Sequence, residues 1–141
     1  MRRAFTLIEL LVVISIIGIL ASFVAVSLTA ARSHVRDSQR QTDVSSILNA
    51  VYQYALDNGN AVPATITSAT TTICRTGATS CTGLIDLSVL TNNQKYMVSL
   101  PNDPLSTSTT ATGYTIVKNS VTGRVTVAAP SAESTTVSIT R

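Results

Sequence analysis

Charged residues make up only 12% of the 141-residue chain, and the side chains that carry most enzyme chemistry are scarcer still. There is one histidine, His34, no tryptophan, and just two cysteines. With seven acids scattered along the sequence, this leaves no nucleophile accompanied by a base and an orienting group, so a non-catalytic protein is expected. Cys74 and Cys81 are not spaced as CxxC and have no histidine beside them. Two thiolates do not make a zinc site, and neither a metal nor another cofactor is expected. Aromatics are 4% of residues, and Arg2 and Arg3 supply two of the three net positive charges, so residues 5–141 carry +1. That balance excludes a basic, aromatic nucleic-acid surface. N-x-S/T sequons are absent, and no proline stands between Phe5 and Val62 to break a helix.

The most consequential absence is of charge between Glu9 and Arg32. The segment FTLIELLVVISIIGILASFVAVSLTAA, from Phe5 to Ala31, holds 22 uncharged positions in a row, roughly 33 Å of helix and enough to cross a bilayer's hydrocarbon core. Glu9 lies just inside this run, where an uncompensated carboxylate costs several kcal/mol, so it needs a partner. The run exceeds the apolar core of about 7–15 residues in a cleaved secretory signal. An uncleaved signal anchor fits the length but gives no account of Glu9.

A basic leader, a small residue, then F-T-L-I-E-L-L-V-V-I-S-I-I-G-I-L-A resembles the N-terminal signature of type IV pilins and of the pseudopilins of type II secretion, nearly residue by residue from Phe5 to Ala21. The resemblance implies a leader of residues 1–4, a prepilin peptidase that cuts between Ala4 and Phe5 on the cytoplasmic side, and methylation of the new Phe5 amine. It implies that Glu9 helps draw the subunit into a filament by neutralising the Phe5 amine of a neighbour; pairing two groups otherwise stranded at low dielectric removes the penalty each would suffer alone. The family usually has Gly before the cut, where this chain has Ala4. Many members carry a Pro beside a Gly where the helix loses its form in the filament; here Gly18 stands without one, the candidate point of local melting. The implied partners are the chain itself in a helical homopolymer, the peptidase, an inner-membrane assembly platform, minor pilins, and the membrane before assembly. Basic residues flank both ends of the apolar run, so charge does not orient it; the resemblance places the N-terminus inside and the head outside.

Beyond residue 31 an amphipathic half-helix is expected over 32–58, because Val44, Ile47, Leu48, Val51 and Ala55 recur on one helical face. Asn58-Gly59 supplies the stop. Arg32, Arg36 and Arg40 follow at i, i+4 spacing, a repulsive stripe that reads either as a solvated or headgroup-facing surface or as a contact for acidic groups on neighbouring subunits. The globular head is expected over 59–141, with a loop region at 60–112 and a sheet at 113–141. In an exported head, Cys74 and Cys81 are read as a disulfide closing a short loop, worth roughly 2.5 kcal/mol on chain entropy. Asp86 to Leu90 reads as a short helical turn or a short strand. Pro101-Asn102-Asp103-Pro104 matches a P-x-D-P segment of many relatives; some major pseudopilins bind calcium just after it, but the following STSTTATG offers no carboxylate.

Tyr114–Lys118, Arg124–Ala128 and Thr135–Thr140 alternate apolar with polar positions. The expected fold is α+β: a long N-terminal helix, transmembrane in its first half, packed against a small three-stranded antiparallel C-terminal sheet. Three functions compete. The first reading is a structural pilin that leaves the cytoplasmic membrane for an extracellular type IV pilus after leader cleavage. The alternatives are a pseudopilin in a periplasmic pseudopilus and an uncleaved, membrane-anchored binding domain.

Overall fold

The structure, a computed structural model, describes residues 6–141. Ala4 and Phe5, the expected cleavage and methylation positions, lie outside the described residues. One helix, α1 (Leu7–Asp57), runs for 51 residues, as the absence of proline allows. It ends where glycine was expected to end it. Gly59 and Asn60 both take the left-handed conformation, at φ 65°, and the Asn60 N–H closes onto the Ala55 carbonyl at 2.7 Å.

The chain divides into two compact units, with the boundary between Val35 and Arg36. In the first, α1 exposes large apolar side chains on every face, Leu7 at 81% and Phe23 at 70% among them. Length and composition suffice for a membrane span. Its hydroxyls are turned inward on the backbone: Ser15 donates to the Leu11 carbonyl at 2.8 Å and Ser22 to that of Ile19 at 2.7 Å. Polar side chains satisfied in this way cost little in hydrocarbon. Gly18 lies within the unbroken helix.

The second unit, Arg36–Arg141, holds the core. The expected face of α1 is the observed one: Val44, Ile47, Leu48, Val51 and Ala55 are buried, all but Ala55 in one cluster with Tyr114, Ile116, Val125, Val127 and Val137 of a sheet. Burial of such side chains contributes about 1.5–3 kcal/mol each. The sheet has four strands rather than three: β1 (Thr71–Cys74), β2 (Ala111–Lys118), β3 (Val125–Ala129) and β4 (Val137–Thr140), antiparallel throughout in the order β1-β2-β3-β4. The added strand, TTIC, lies in the stretch expected as loop. Four residues are too few to show a period; long-range pairing with β2 and a parallel bridge from Ile73 to Ile85 make it a strand. Of the two readings for Asp86 to Leu90, the helical one holds, as α2 (Ser88–Thr91), with Leu87 and Leu90 fully buried. Cys74 and Cys81 form a disulfide across seven residues.

Candidate functional site

Two clusters of polar groups stand out, one at the start of α1 and one where its second half meets the sheet loops. At the start, the Thr6 hydroxyl donates to Glu9 Oε2 at 2.7 Å, the Thr6 backbone N–H donates to the same oxygen at 2.9 Å, and the Glu9 N–H returns a 3.3 Å bond to Thr6 Oγ1. This reciprocal arrangement is a capping box, in which Thr6 and Glu9 satisfy two of the donors that every helix leaves unpaired at its N-terminus. The T-x-x-E spacing of Thr6 and Glu9 in the sequence is the signal for this box. A carboxylate has about four acceptor positions, so the box leaves Glu9 able to meet a cation as well.

The second cluster corrects the reading of the arginine stripe. Arg32 is exposed, but Arg40 is fully buried. Its guanidinium grips Asp103 with two bonds, Nε to Oδ2 at 2.6 Å and Nη2 to Oδ1 at 3.1 Å, while Nη1 reaches Asp37 at 2.7 Å and Glu133 at 3.1 Å. Arg36 makes its own two-bond fork to Glu133, both at 2.6 Å. At Arg36 and Arg40 the stripe therefore meets acids of its own chain, and on Arg40 it is neither solvated nor turned toward a neighbour. Planar guanidinium suits this task because one group can present parallel donors to several carboxylates at once.

Around this core the remaining valences are filled. Asp37 also accepts from the backbone N–H groups of Glu133 and Ser134, at 3.0 and 2.6 Å, so α1 caps the β3–β4 turn. Asp43 accepts from the Tyr114 hydroxyl at 2.6 Å and from Gln39 at 2.8 Å. The Asp103 carboxylate of the P-x-D-P segment holds Arg40 and accepts the Leu105 N–H. Gly113, at φ 89°, makes room for it: a Cβ there would come within 2.8 Å of the Asp103 Cβ. Proximity in space, with partners 63 and 93 residues away, was not readable from spacing along the chain.

The same bonds shift the acids. Backbone donors at residues 133–135 together with Arg40 hold Asp37 well below the ordinary carboxylate range. Arg36 and Arg40 hold Glu133 at about 2. Burial pushes Asp103 up, but Arg40 and the Leu105 N–H outweigh it and keep the group below its usual value. Groups depressed in the folded state bind fewer protons than they do unfolded, so their stabilisation is present above the unfolded values near 4 and is lost as pH falls through the folded ones. Thermal unfolding of the second unit, followed by tyrosine emission, is expected to be flat from pH 7 to about 5 and to fall steadily from there to about 2. In Asp37→Asn the fall is expected to be shallower.

The family profile described as "Prokaryotic N-terminal methylation motif" matches residues 1–25. Three curated relatives share the description type II secretion system core protein G. The Vibrio cholerae protein is 43% identical over 57 residues, 40% of this chain and 39% of that one. Its Escherichia coli K12 counterpart is 40% identical over 57 residues, with the same coverage, and that of Pectobacterium carotovorum 39% identical over 64 residues. The match thus spans about two fifths of the length of these relatives. No solved structure matches the chain. The chain thus carries a prokaryotic N-terminal methylation motif that leads into a long apolar helix and a small antiparallel sheet, and over about two fifths of its length it is similar to type II secretion system core protein G.

Proposed function

We propose that the protein is a structural, non-catalytic subunit that polymerises through the first half of α1 into a periplasmic pseudopilus of a type II secretion system. The observation that carries this reading is the likeness to core protein G at 39–43% identity. It reverses the order of preference drawn from the sequence, where the extracellular pilus came first. In this proposal the peptidase cuts between Ala4 and Phe5 and methylates Phe5. The apolar helix holds the subunit in the cytoplasmic membrane until assembly, and Glu9 then accepts the Phe5 amine of a neighbour. The extracellular pilus subunit stays as a second reading for one reason: Asp103 serves Arg40 instead of standing ready beside a calcium site of the kind some major pseudopilins have.

Intact-mass measurement of the polymer, combined with its location at native expression, tests the proposal. A species beginning at Phe5 with a methyl group on its amine, found in the cell envelope and required for release of folded secreted proteins, is the expected result. Methylated polymer sheared from the cell surface, with secretion unaffected by deletion of the gene, would replace the pseudopilus by a pilus. A chain that keeps Met1 and remains in the membrane would end both readings.

A further inference from the structure

Asn58 and Gly59 form the one Asn-Gly pair of the sequence, and the pair falls just past the last residue of α1. An asparagine side-chain amide is open to attack by the backbone nitrogen of the next residue when that nitrogen is free of hydrogen bonds and no side chain crowds it. Both conditions hold at Gly59. Its N–H has no hydrogen-bond partner among the described residues, and nothing stands within 4 Å of where a Cβ on it would lie. Asn58 and Gly59 are both exposed, so water reaches the site.

Elsewhere the fold withholds one condition or the other. The N–H that follows Asn60, on Ala61, donates to the Asn58 carbonyl at 3.2 Å, and the one that follows Asn102, on Asp103, donates to the Thr112 carbonyl at 2.8 Å. Asn119 Oδ1 is tied to the backbone N–H groups of Val121 and Thr122, both at 2.9 Å, and Asn49 lies inside α1 with its Oδ1 held by Arg141 at 2.6 Å. The amide of Asn58 is restrained by a single exposed bond, from Nδ2 to the Tyr54 carbonyl at 2.8 Å, for which water competes.

We propose that Asn58 is a site of spontaneous deamidation and that its isoaspartyl product unfastens the end of α1. The Gly59 nitrogen gives up its proton to hydroxide and bonds to Asn58 Cγ, the Cγ–Nδ2 bond breaks, and the nitrogen leaves as ammonia. Water then opens the cyclic imide, at Cγ to leave aspartate or at the main-chain carbonyl carbon to leave isoaspartate; nothing is oxidised or reduced. Isoaspartate turns the Asn58 carbonyl, which accepts the Ala61 N–H, into a free carboxylate on a main chain longer by one carbon, and the 2.7 Å bond from the Asn60 N–H to the Ala55 carbonyl spans that same point. Either product adds a negative charge at the C-terminal end of α1 beside Asp57, where the helix dipole disfavours it and it competes for Lys95. Residues 5–141, at +1 before the change, become neutral. The inference is independent of the polymerisation proposed above.

The full chain in detergent micelles, its disulfide intact, is aged at pH 7 and pH 8 and mapped by peptide mass, with electron-transfer fragmentation to separate aspartate from isoaspartate. Exchange of NH for O is expected at Asn58 ahead of Asn60 and Asn119, with both isomers formed. It should run about tenfold faster at pH 8, since the ionised fraction of a weak acid rises tenfold per unit below its pKa. Hydrogen exchange at the Asn60 and Ala61 amides should be faster in converted chains than in fresh ones. Asn58→Gln, whose longer side chain closes the ring far more slowly, should age without either change. An Asn58 that keeps its amide, or loses it no faster than Asn119, would overturn the site. Converted chains with unaltered exchange at residues 60 and 61 would overturn the unfastening of α1.

Discussion

Arg40→Met is expected to destabilise the second unit by about 3–5 kcal/mol, the cost of leaving buried charge uncompensated. Three carboxylates converge on this guanidinium, and Asp103, itself buried, loses both of its charged bonds when the guanidinium goes. Arg40→Lys keeps the charge but cannot present a two-bond fork to Asp103 while reaching Asp37 and Glu133, so it should recover only part of the loss. Arg40→Met with Asp103→Leu should also recover part, because removing both members of a buried pair is far milder than removing one. Urea unfolding of the detergent-solubilised chain checks all three, with tyrosine emission as the probe, since Tyr114 sits in the core and no tryptophan obscures it. Equal stability of Arg40→Met and wild type would show that the cluster contributes nothing net.

The second large effect is expected at Glu9. Glu9→Val should leave the subunit in the membrane at normal level and abolish polymer made from that subunit alone. Valine suits the hydrocarbon better than a carboxylate does, so insertion does not suffer. In the proposed polymer, however, a neighbour's Phe5 amine would then have no acceptor, and an unpaired buried charge costs several kcal/mol per subunit. The helix start also changes, because Thr6 loses the partner that completes its capping box. Thr6→Val separates the two roles: it breaks the box, at about 0.5–2 kcal/mol, and leaves the carboxylate. If Glu9 acts through the neighbour's amine, Thr6→Val polymerises where Glu9→Val does not. Equal loss in both would assign the effect to the cap.

What the residues disclosed in advance follows the range of the forces involved. The end of α1 was legible because Gly59 acts on its own neighbours, and β2, β3 and β4 were legible because Tyr114, Ile116, Val125, Val127 and Val137 alternate within a few positions. Thr71–Cys74 became a strand only through partners some 40 residues away, and so read as loop. Arg40 looked like a surface charge since Arg36, Asp37 and Asp43 surround it along the helix; the partners that bury it, Asp103 and Glu133, lie far off in sequence. The acid at Glu9 is conspicuous in its apolar surroundings, whereas Thr6, three residues earlier, reveals its role only through the hydrogen bonds it makes with Glu9.

The seam between α1 and the β3–β4 turn also sets an order of events. Asp37 binds backbone groups 96 and 97 residues further on, and the apolar face from Val44 to Val51 is covered in part by Val137. Contacts of such separation form late, because loop closure must precede them. While the chain is being made, that face stays bare until nearly a hundred more residues have followed it. In the role proposed above, the newly exported subunit passes through an interval in which its uncovered helix is open to capture by any apolar surface nearby.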